Sequence, residues 1–261
     1  MFDKLFAQET IEETIRIVQN EFPLGIWETV YVTVIATAIA IAIGLPLGVL
    51  LVAGEKNGVR PLPKGVMQAL NVVINLLRSV PFLILMIMVF PLSRLIVGTS
   101  VGTVASIVPL VIASFPFVAR LVESSLREVD SGVVEAAQSM GCSPFQIITK
   151  VLLPESRPSL ITGFTTAFIT ILSYGAMAGA IGGGGLGSMA LMLGYQRRMY
   201  IVMYVSVLVL VILVQIFQTV GTHMAVRLDR RITDKEEGRR RRKDAKAKVK
   251  KGRRFPYVHN P

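Results

Sequence analysis

Long apolar runs separated by short polar loops are the main pattern along this chain. Ile26–Ala53 carries a single charge, Glu28, near its start, and Thr99–Ala119 carries none. Pro158–Gln196 is also uncharged, and Met199–Val226 contains no Asp, Glu, Lys or Arg. Each run reaches about 20 residues, which is the length that a helix needs to cross the hydrocarbon core of a bilayer.

This pattern predicts an all-α integral membrane protein with five transmembrane helices over residues 26–226. The second span is centred on Val80–Phe90 and begins several turns earlier, and the glycines at 182–187 are expected to end the fourth. We also expect a short amphipathic helix at the outer surface within residues 1–25. Apolar side chains recur there at helical spacing, at Ile11, Ile15, Val18 and Phe22.

The basic residues of the loops predict the orientation of the spans. They lie between spans one and two, between spans three and four, and after span five: Lys56, Arg60, Lys64, Arg127, Lys150, Arg157 and the tail. An odd number of spans puts all three segments on one side, which the positive-inside rule assigns to the cytoplasm. The N-terminus is then outside, and the first 28 residues agree, with 2 basic and 6 acidic side chains.

Charge is concentrated at the C-terminus of this otherwise apolar chain. The sequence is 52% hydrophobic with a net charge of +11, and residues 227–261 account for +10 of it. The nearly neutral remainder argues against a nucleic-acid-binding domain, which needs several phosphate contacts. An anionic leaflet attracts basic segments, so residues 235–254 are expected to lie along the inner membrane surface. A solvated run that serves only the positive-inside rule is the alternative.

One polar segment, residues 130–155, lies in the longest internal loop on the predicted cytoplasmic side. Its first helix can be capped by Asp130 or Ser131, with Glu135 in the first turn near the positive end of the helix dipole. Gly141 is placed to take the left-handed conformation that ends such a helix. We call residues 130–155 the elbow.

The second half of the elbow has its own start and stop signals. Ser143 and Gln146 form a capping box around Pro144 at the first helical position, and Pro154 is expected to end the helix. A DNA-binding helix-turn-helix is disfavoured, because the second helix offers only Lys150 to phosphates. A plain connector between two spans would not need such complete capping.

The elbow resembles the EAA loop of ABC-importer permeases, in which E-A-A is followed after three residues by G and after nine more by I-x-L-P. Val151 stands in place of the isoleucine. The chain matches at Glu135, Ala136, Ala137, Gly141, Leu153 and Pro154. The resemblance implies that the elbow is a coupling helix seated in a cleft of a partner ATPase, with Met140 also in the coupling set.

Further motifs extend the resemblance over about 200 residues and are most similar to the methionine-uptake members of that family. They are Trp27-Glu28-Thr29, Arg78-Ser79-Val80-Pro81-Phe82, Pro116-Phe117-Val118-Ala119-Arg120 and Ser173-Tyr174-Gly175-Ala176-Met177. The resemblance places Met177 where the family narrows its pathway, and Tyr174 lies three residues away on the same helical face. Arg78 is either a pathway residue or a basic side chain that snorkels to the cytoplasmic surface.

The resemblance implies the permease subunit of an ATP-driven importer of amino acids, methionine above all, in a bacterial cell membrane. It implies a homodimer with the pathway at the two-fold interface, two ATPase subunits at the cytoplasmic face, and an extracellular solute-binding lipoprotein. The sequence has no G-x-x-x-x-G-K-[ST] motif to cradle ATP. We therefore expect a non-enzymatic subunit without cofactor or metal, and ATP and magnesium on the partner ATPase. Another amino acid or small solute is the alternative substrate.

Three other interpretations are disfavoured. Gly182, Gly184 and Gly187 spell G-x-G-x-x-G, but a dinucleotide-binding turn needs a preceding strand and a later acidic residue, and residues 199–226 contain no Asp or Glu. A turn that lets backbones pack closely is favoured. An ion-coupled secondary transporter needs carboxylates inside its spans, whereas Glu28 lies at the outer edge of the first. A membrane anchor that works through the tail would not need the elbow.

Overall fold

The computed structural model describes residues 8–228, and within that range every regular element is helical, as the sequence predicts. The α-helices are α1 (Gln8–Asn20), α2 (Phe22–Ala53), α3 (Lys64–Ser79), α4 (Phe82–Val97), α5 (Ile107–Arg127), α6 (Ser131–Ser139), α7 (Pro144–Ile147), α8 (Leu153–Glu155), α9 (Arg157–Ala178), α10 (Gly185–Ser188) and α11 (Tyr200–Leu228). Two π-helical segments, Ile148–Leu152 and Met189–Gln196, and a 3₁₀ turn, Gly179–Ile181, complete the set. The segment predicted at the membrane surface, residues 235–254, lies outside the described residues.

Within residues 8–228, four helical stretches are long and apolar enough to cross a membrane: α2, α5, α9 with the 3₁₀ turn that follows it, and α11. A fifth span is reached only when α3 and α4 are counted together, although their axes meet at 110°. Helix α1 lies where the sequence predicts an amphipathic helix. Its Ile17 and Val18 pack against the apolar cluster around Phe22 and Leu186, whereas Ile15 is half exposed.

The second predicted span is not one continuous helix. Helix α3 ends at Ser79 and α4 begins at Phe82, and Val80 between them is extended, with φ −77° and ψ 127°. Pro81 is the cause, because a proline keeps the preceding residue out of the helical conformation and cannot donate a helical hydrogen bond. The predicted second span, centred on Val80–Phe90, is therefore a bent pair of helices, and the motif Arg78–Phe82 forms the bend.

The third span begins later than predicted. The uncharged run starts at Thr99, but α5 starts at Ile107 and continues past Ala119 into a charged segment. Gly98 and Gly102 have φ values of 87° and 111°, a left-handed conformation that a helix cannot continue. The segment between α4 and α5 is consequently a turn that belongs to the end of the bundle away from the elbow.

Helices α2 and α5 pack closely along a seam of small residues at the centre of the fold. Gly44 and Gly48 of α2 face α5, and a Cβ at Gly48 would lie 2.6 Å from the carbonyl oxygen of Ala119 and 2.5 Å from the Cβ of Val122. Small residues four apart let membrane helices approach in this way. The seam buries Ala40, Val122 and their neighbours in the main apolar cluster.

Helix α11 packs along both α9 and the π-helical segment 189–196. Midway along α9, the rings of Phe168 and Phe217 lie 4.4 Å apart between centroids. Near the start of α11, a Cβ at Gly194 would lie 2.5 Å from the Cβ of Met203. The glycines at 182–187, which we call the glycine turn, lie between α9 and this segment. Helix α11 therefore contacts the chain on both sides of the glycine turn.

Candidate functional site

Both helical halves of the elbow begin with side-chain caps. The Oδ1 of Asp130 accepts a hydrogen bond from the Gly132 N–H at 2.7 Å, which makes Asp130 the N-cap of α6. Ser143 and Gln146 form the predicted capping box, with distances of 2.9 Å and 3.4 Å for its two hydrogen bonds. Glu135 lies in the second turn of α6 rather than the first, so it does not stabilise the helix start as predicted.

A left-handed glycine ends α6. Gly141 has φ 79°, and its N–H donates to the Gln138 carbonyl oxygen at 2.9 Å, while the Cys142 N–H donates to the Ala137 carbonyl oxygen at 3.1 Å. This pair of hydrogen bonds is the Schellman arrangement, which satisfies the last carbonyl groups of a helix. The angle between the two halves of the elbow is therefore set by backbone hydrogen bonds.

The second half of the elbow does not end at Pro154, contrary to the prediction. The π-helical segment Ile148–Leu152 precedes a last turn, Leu153–Glu155, and the run ends at Ser156, whose Oγ donates to the Leu152 carbonyl oxygen at 2.7 Å. Proline lacks an N–H, and its ring crowds the carbonyl group four residues earlier. The wider π turn changes the hydrogen-bond register just before Pro154, so the helical run passes through it.

One face of the elbow is part of the bundle core. Ala137, Ile147 and Leu152 are buried in the main apolar cluster. The other predicted coupling residues divide by exposure: Glu135, Ala136, Met140 and Gly141 are exposed, and Leu153 and Pro154 are half-buried. The elbow is therefore fixed to the bundle by one side and open on the other.

The open side carries an apolar patch, which we call the elbow patch: Val133, Ala136, Met140 and Phe145. The first three occupy positions i, i+3 and i+7 of one helical side, and the side chains of Met140 and Phe145 are 76% and 74% exposed. Contiguous exposed apolar residues mark interaction sites. The sequence prediction included Ala136 and Met140 but missed Val133 and Phe145, although the helical spacing from Met140 was a signal for Val133.

Polar and charged side chains link the end of α5, just before the elbow, to α3. Arg120 of α5 donates to Glu123 Oε2 at 2.6 Å, and its second terminal nitrogen donates to Asn71 Oδ1 at 2.8 Å and Asn75 Oδ1 at 2.9 Å. Arg127, the last residue of α5, donates to Glu123 Oε1 at 2.8 Å. Five polar side chains from two helices thus form one hydrogen-bonded chain.

Arg127 extends this chain to a third element. It forms a two-pronged ion pair with Glu55, in the loop that follows α2. Because Arg127 stands just before the N-cap Asp130, the network joins α2, α3 and α5 at the point where the elbow begins. The sequence showed Arg120 only as part of a motif, since its partners in α3 lie 45 and 49 residues away along the chain.

The two predicted pathway residues of α9 make different contacts. Tyr174 stacks on Phe82, the first residue of α4, with ring centroids 4.4 Å apart and planes inclined by 6°. Met177 is 47% exposed and, with Ala176 and Gly187, lines an apolar cavity of about 520 Å³ between α9 and α11. Tyr174 is therefore joined to the bend at Pro81, and Met177 borders an open groove.

Arg78, the third predicted pathway residue, lies exposed in the last turn of α3. It forms no hydrogen bond or ion pair with another residue of the range 8–228. The predicted alternatives, a pathway residue or a snorkelling side chain, both need an exposed guanidinium, so its role stays a prediction.

The glycine run follows a helix and not a strand, which excludes the dinucleotide-binding interpretation. A Cβ at Gly187 would fall on the backbone of Ala176 in α9, and one at Gly179 would fall on the backbone of Ser188. The predicted close packing of backbones is therefore confirmed. The glycines bring the end of α9 into direct contact with α10.

The described residues form an apolar helical bundle with several candidate spans and a capped elbow at one end. Residues 44–234 match the family described as "Binding-protein-dependent transport system inner membrane component". The chain belongs to this family. It is thus a multi-pass membrane permease subunit and not an enzyme.

Named relatives are similar over most of their length. A "Probable D-methionine transport system permease protein MetI" of Vibrio cholerae serotype O1 is 50% identical over 206 residues, which cover 78% of this chain and 91% of the relative. The "Methionine import system permease protein MetP" of Bacillus subtilis (strain 168) is 46% identical over 168 residues, covering 64% of this chain and 76% of the relative.

A solved structure agrees in fold and in sequence. The structure titled "Inward facing conformations of the MetNI methionine ABC transporter: CY5 native crystal form" is 39% identical with a TM-score of 0.76, and the match covers 79% of this chain and 95% of that one. A bacterial alginate ABC transporter with 14% identity and a TM-score of 0.64 shares the fold alone.

Proposed function

We propose that this chain is the permease subunit of an ABC importer for methionine and that it acts as a homodimer with the pathway between the two copies. Relatives named for methionine transport, at 46–50% identity over most of their length, support the substrate. ATP and magnesium belong to separate ATPase subunits, one on each elbow. A solute-binding lipoprotein delivers the substrate at the opposite end of the bundle.

The observation that carries this proposal is the elbow patch on a firmly held base. Met140 and Phe145 expose most of their side chains, whereas Ala137 and Ile147 behind them are buried. A surface of this kind transmits force, because a push on its outer side is met by the core and not absorbed by the loop. When the ATPases close on ATP, the elbows move, and the network around Arg120 carries that movement to α3 and α5.

The same proposal assigns the orientation of the chain in the membrane and the location of its pathway residues. The elbow faces the cytoplasm, the N-terminus lies outside, and the protein resides in the bacterial cell membrane. Tyr174 and Met177 line the gate, Arg78 lies about one turn before the Phe82–Tyr174 stack as a further pathway residue, and anionic lipid receives the basic tail. An ATPase cleft lined with apolar residues fits the elbow patch, since burial of each large apolar side chain is worth about 1.5–3 kcal/mol.

An ion-coupled secondary transporter is the alternative mechanism, and it fits the structure less well. Such a transporter needs a carboxylate that is free to exchange its ion. Glu28 in α2 already accepts hydrogen bonds on both carboxylate oxygens, from Thr103 at 3.0 Å and from the Gly185 N–H at 2.8 Å. Its geometry is that of a structural contact.

Uptake measurements test the substrate and the energy source. A strain that carries only this complex should accumulate labelled L- or D-methionine and should lose that uptake when the partner ATPase is inactivated by mutation. Uptake of a different amino acid in place of methionine would correct the substrate. Uptake that survives loss of the ATPase and collapses with the proton gradient would replace the proposed mechanism by the ion-coupled one.

Docking is tested with two exposed residues on different sides of the first half of the elbow, Gln138 in α6 and its C-cap Met140. Met140→Glu places a charge in the elbow patch and should reduce the ATPase that copurifies with the permease. Gln138→Glu adds the same charge outside the patch and should leave the complex intact. Equal retention of the ATPase by both variants would show that the elbow patch is not the docking surface.

A further inference from the structure

The glycine turn between α9 and α10 has a backbone that few other residues could adopt. Gly182, Gly184 and Gly185 have φ values of 89°, 74° and 69°, all in the region that disfavours residues with a side chain. A turn made of three such residues has little stiffness of its own, because glycine leaves the most backbone freedom. Something outside the turn must therefore hold it in one conformation.

Two neighbouring residues of α2 supply that support. Glu28 Oε2 accepts a hydrogen bond from the Gly185 N–H at 2.8 Å, and Thr29 Oγ1 accepts one from the Leu186 N–H at 2.9 Å. These are the first two N–H groups of α10, which have no partner within their own helix. Both contacts cross 157 residues of sequence.

The same two side chains are fixed on their other sides. Glu28 Oε1 accepts a hydrogen bond from Thr103 Oγ1 at 3.0 Å, and the Thr29 hydroxyl donates to the Gly25 carbonyl oxygen at 2.8 Å. The cavity beside them measures about 10 Å³, which is the room of about one water molecule. No substrate fits there, so these residues position the backbone and do not bind a solute.

The turn is connected to the groove at Met177 by direct packing. Gly187 lies two residues after the N–H that Glu28 holds, and its backbone rests on Ala176, next to Met177. Gly187, Ala190 and Leu191 line the same apolar cavity as Met177 and form part of its wall. A shift of α10 would therefore move that wall relative to Met177.

We propose that Glu28 and Thr29 are positioning residues that hold the glycine turn and thereby set the width of the groove at Met177. The proposal rests on the proposed function for its consequence, because a gate at Met177 matters only in a permease. It also assigns a task to the Trp27-Glu28-Thr29 motif, which docking of an ATPase leaves unexplained. Loss of these hydrogen bonds would let the width of the groove change without a signal from substrate or ATPase.

The test uses the full complex in lipid vesicles, with Glu28→Gln, Thr29→Val and the matched control Glu21→Gln. Gln keeps the shape of Glu28 but loses one of its two acceptor oxygens, and Val keeps the shape of Thr29 without its hydroxyl. Glu21 is exposed before the start of α2, so its variant makes the same change of charge away from the turn. Hydrogen exchange of the Gly185 and Leu186 amides should speed up about tenfold or more in the first two variants and stay unchanged in the control.

The functional readouts separate positioning from simple loss of folding. Both variants should hydrolyse ATP faster without substrate and should lower the maximal rate of methionine uptake, with an unchanged KM. Unchanged exchange in both variants, or faster exchange with normal basal hydrolysis and uptake, would overturn the proposal. If Glu28→Gln fails to assemble, Thr29→Val decides alone. If the wild-type complex moves no methionine, the substrate proposal fails, while faster exchange and faster basal hydrolysis in the variants still support the positioning role.

Discussion

The rings of Phe82 and Tyr174 stack nearly parallel, with centroids 4.4 Å apart and planes inclined by 6°. Phe82 opens α4 directly after the bend at Val80 and Pro81, and Tyr174 lies in α9 three residues before Met177. The stack therefore joins the bend in the second apolar segment to the helix that borders the groove. A movement of α3 and α4 reaches α9 through this contact.

A double-mutant cycle on this stack should reveal direct coupling. Phe82→Ala and Tyr174→Ala are expected to interact by about 0.5–1.5 kcal/mol, the additional worth of an aromatic pair beyond its buried area. The free energy of unfolding in detergent, measured for the wild type, both single variants and the double variant, gives this coupling. Tyr174→Phe keeps the ring and should behave like the wild type. Strict additivity of the two alanine variants would contradict the structural role of the stack.

Shortening Met177 should uncouple the ATPase from substrate. Met177→Ala removes a flexible side chain that fills the edge of the groove, so the complex is expected to hydrolyse ATP faster in the absence of substrate. Met224→Ala in α11 is the matched control, because Met224 is similarly exposed at 52% and does not line the cavity. Equal basal hydrolysis by the two variants, in well-assembled complexes, would remove Met177 from the gate.

Replacing Gly141 should damage the elbow without unfolding the bundle. Gly141→Val places a β-branched residue at φ 79°, which costs about 1–3 kcal/mol of backbone strain and disturbs the Schellman hydrogen bonds. The variant should insert and dimerise but lose uptake, because the two halves of the elbow no longer keep their angle. Gly65→Val in α3 is the control, since a Cβ at Gly65 meets no atom within 4 Å. Normal uptake with a normally bound ATPase would falsify the coupling role of the elbow.

The network at the root of the elbow should depend more on Arg120 than on Arg127. Arg120→Lys replaces a guanidinium that reaches Glu123, Asn71 and Asn75 by a single ammonium, and leaves partly buried acceptors unsatisfied at a cost of about 1–3 kcal/mol. The Arg127 side chain is 47% exposed, so Arg127→Lys should cost less than about 1 kcal/mol. Unfolding of both variants in detergent compares the two costs, and a larger loss for Arg127→Lys would reverse this ranking.

The sequence alone predicts a structural feature correctly where that feature depends on residues a few positions apart. Asp130, Ser143, Gln146 and Gly141 act as caps in the structure because each bonds to backbone groups within five residues. The apolar runs also determined the helices, since a segment of that length and hydropathy has no other way to satisfy its backbone inside a membrane. The E-A-A motif of the elbow indicated the protein family for the same reason, because all its residues lie close together along the chain.

Contacts between distant segments were decided by the tertiary structure alone. Pro81 produces a bend of 110°, whereas Pro154 is absorbed by a π turn, although the local rule for both prolines is the same. The outcome depends on whether the neighbouring packing offers another hydrogen-bond register. The bonds from Glu28 and Thr29 to α10, and those from Arg120 to α3, join residues that are adjacent only because the helices pack as they do. The spacing of residues along the chain does not predict contacts between such distant segments. The helix caps could therefore be predicted from the sequence, and the hydrogen bonds from Glu28 and Thr29 to the glycine turn could not.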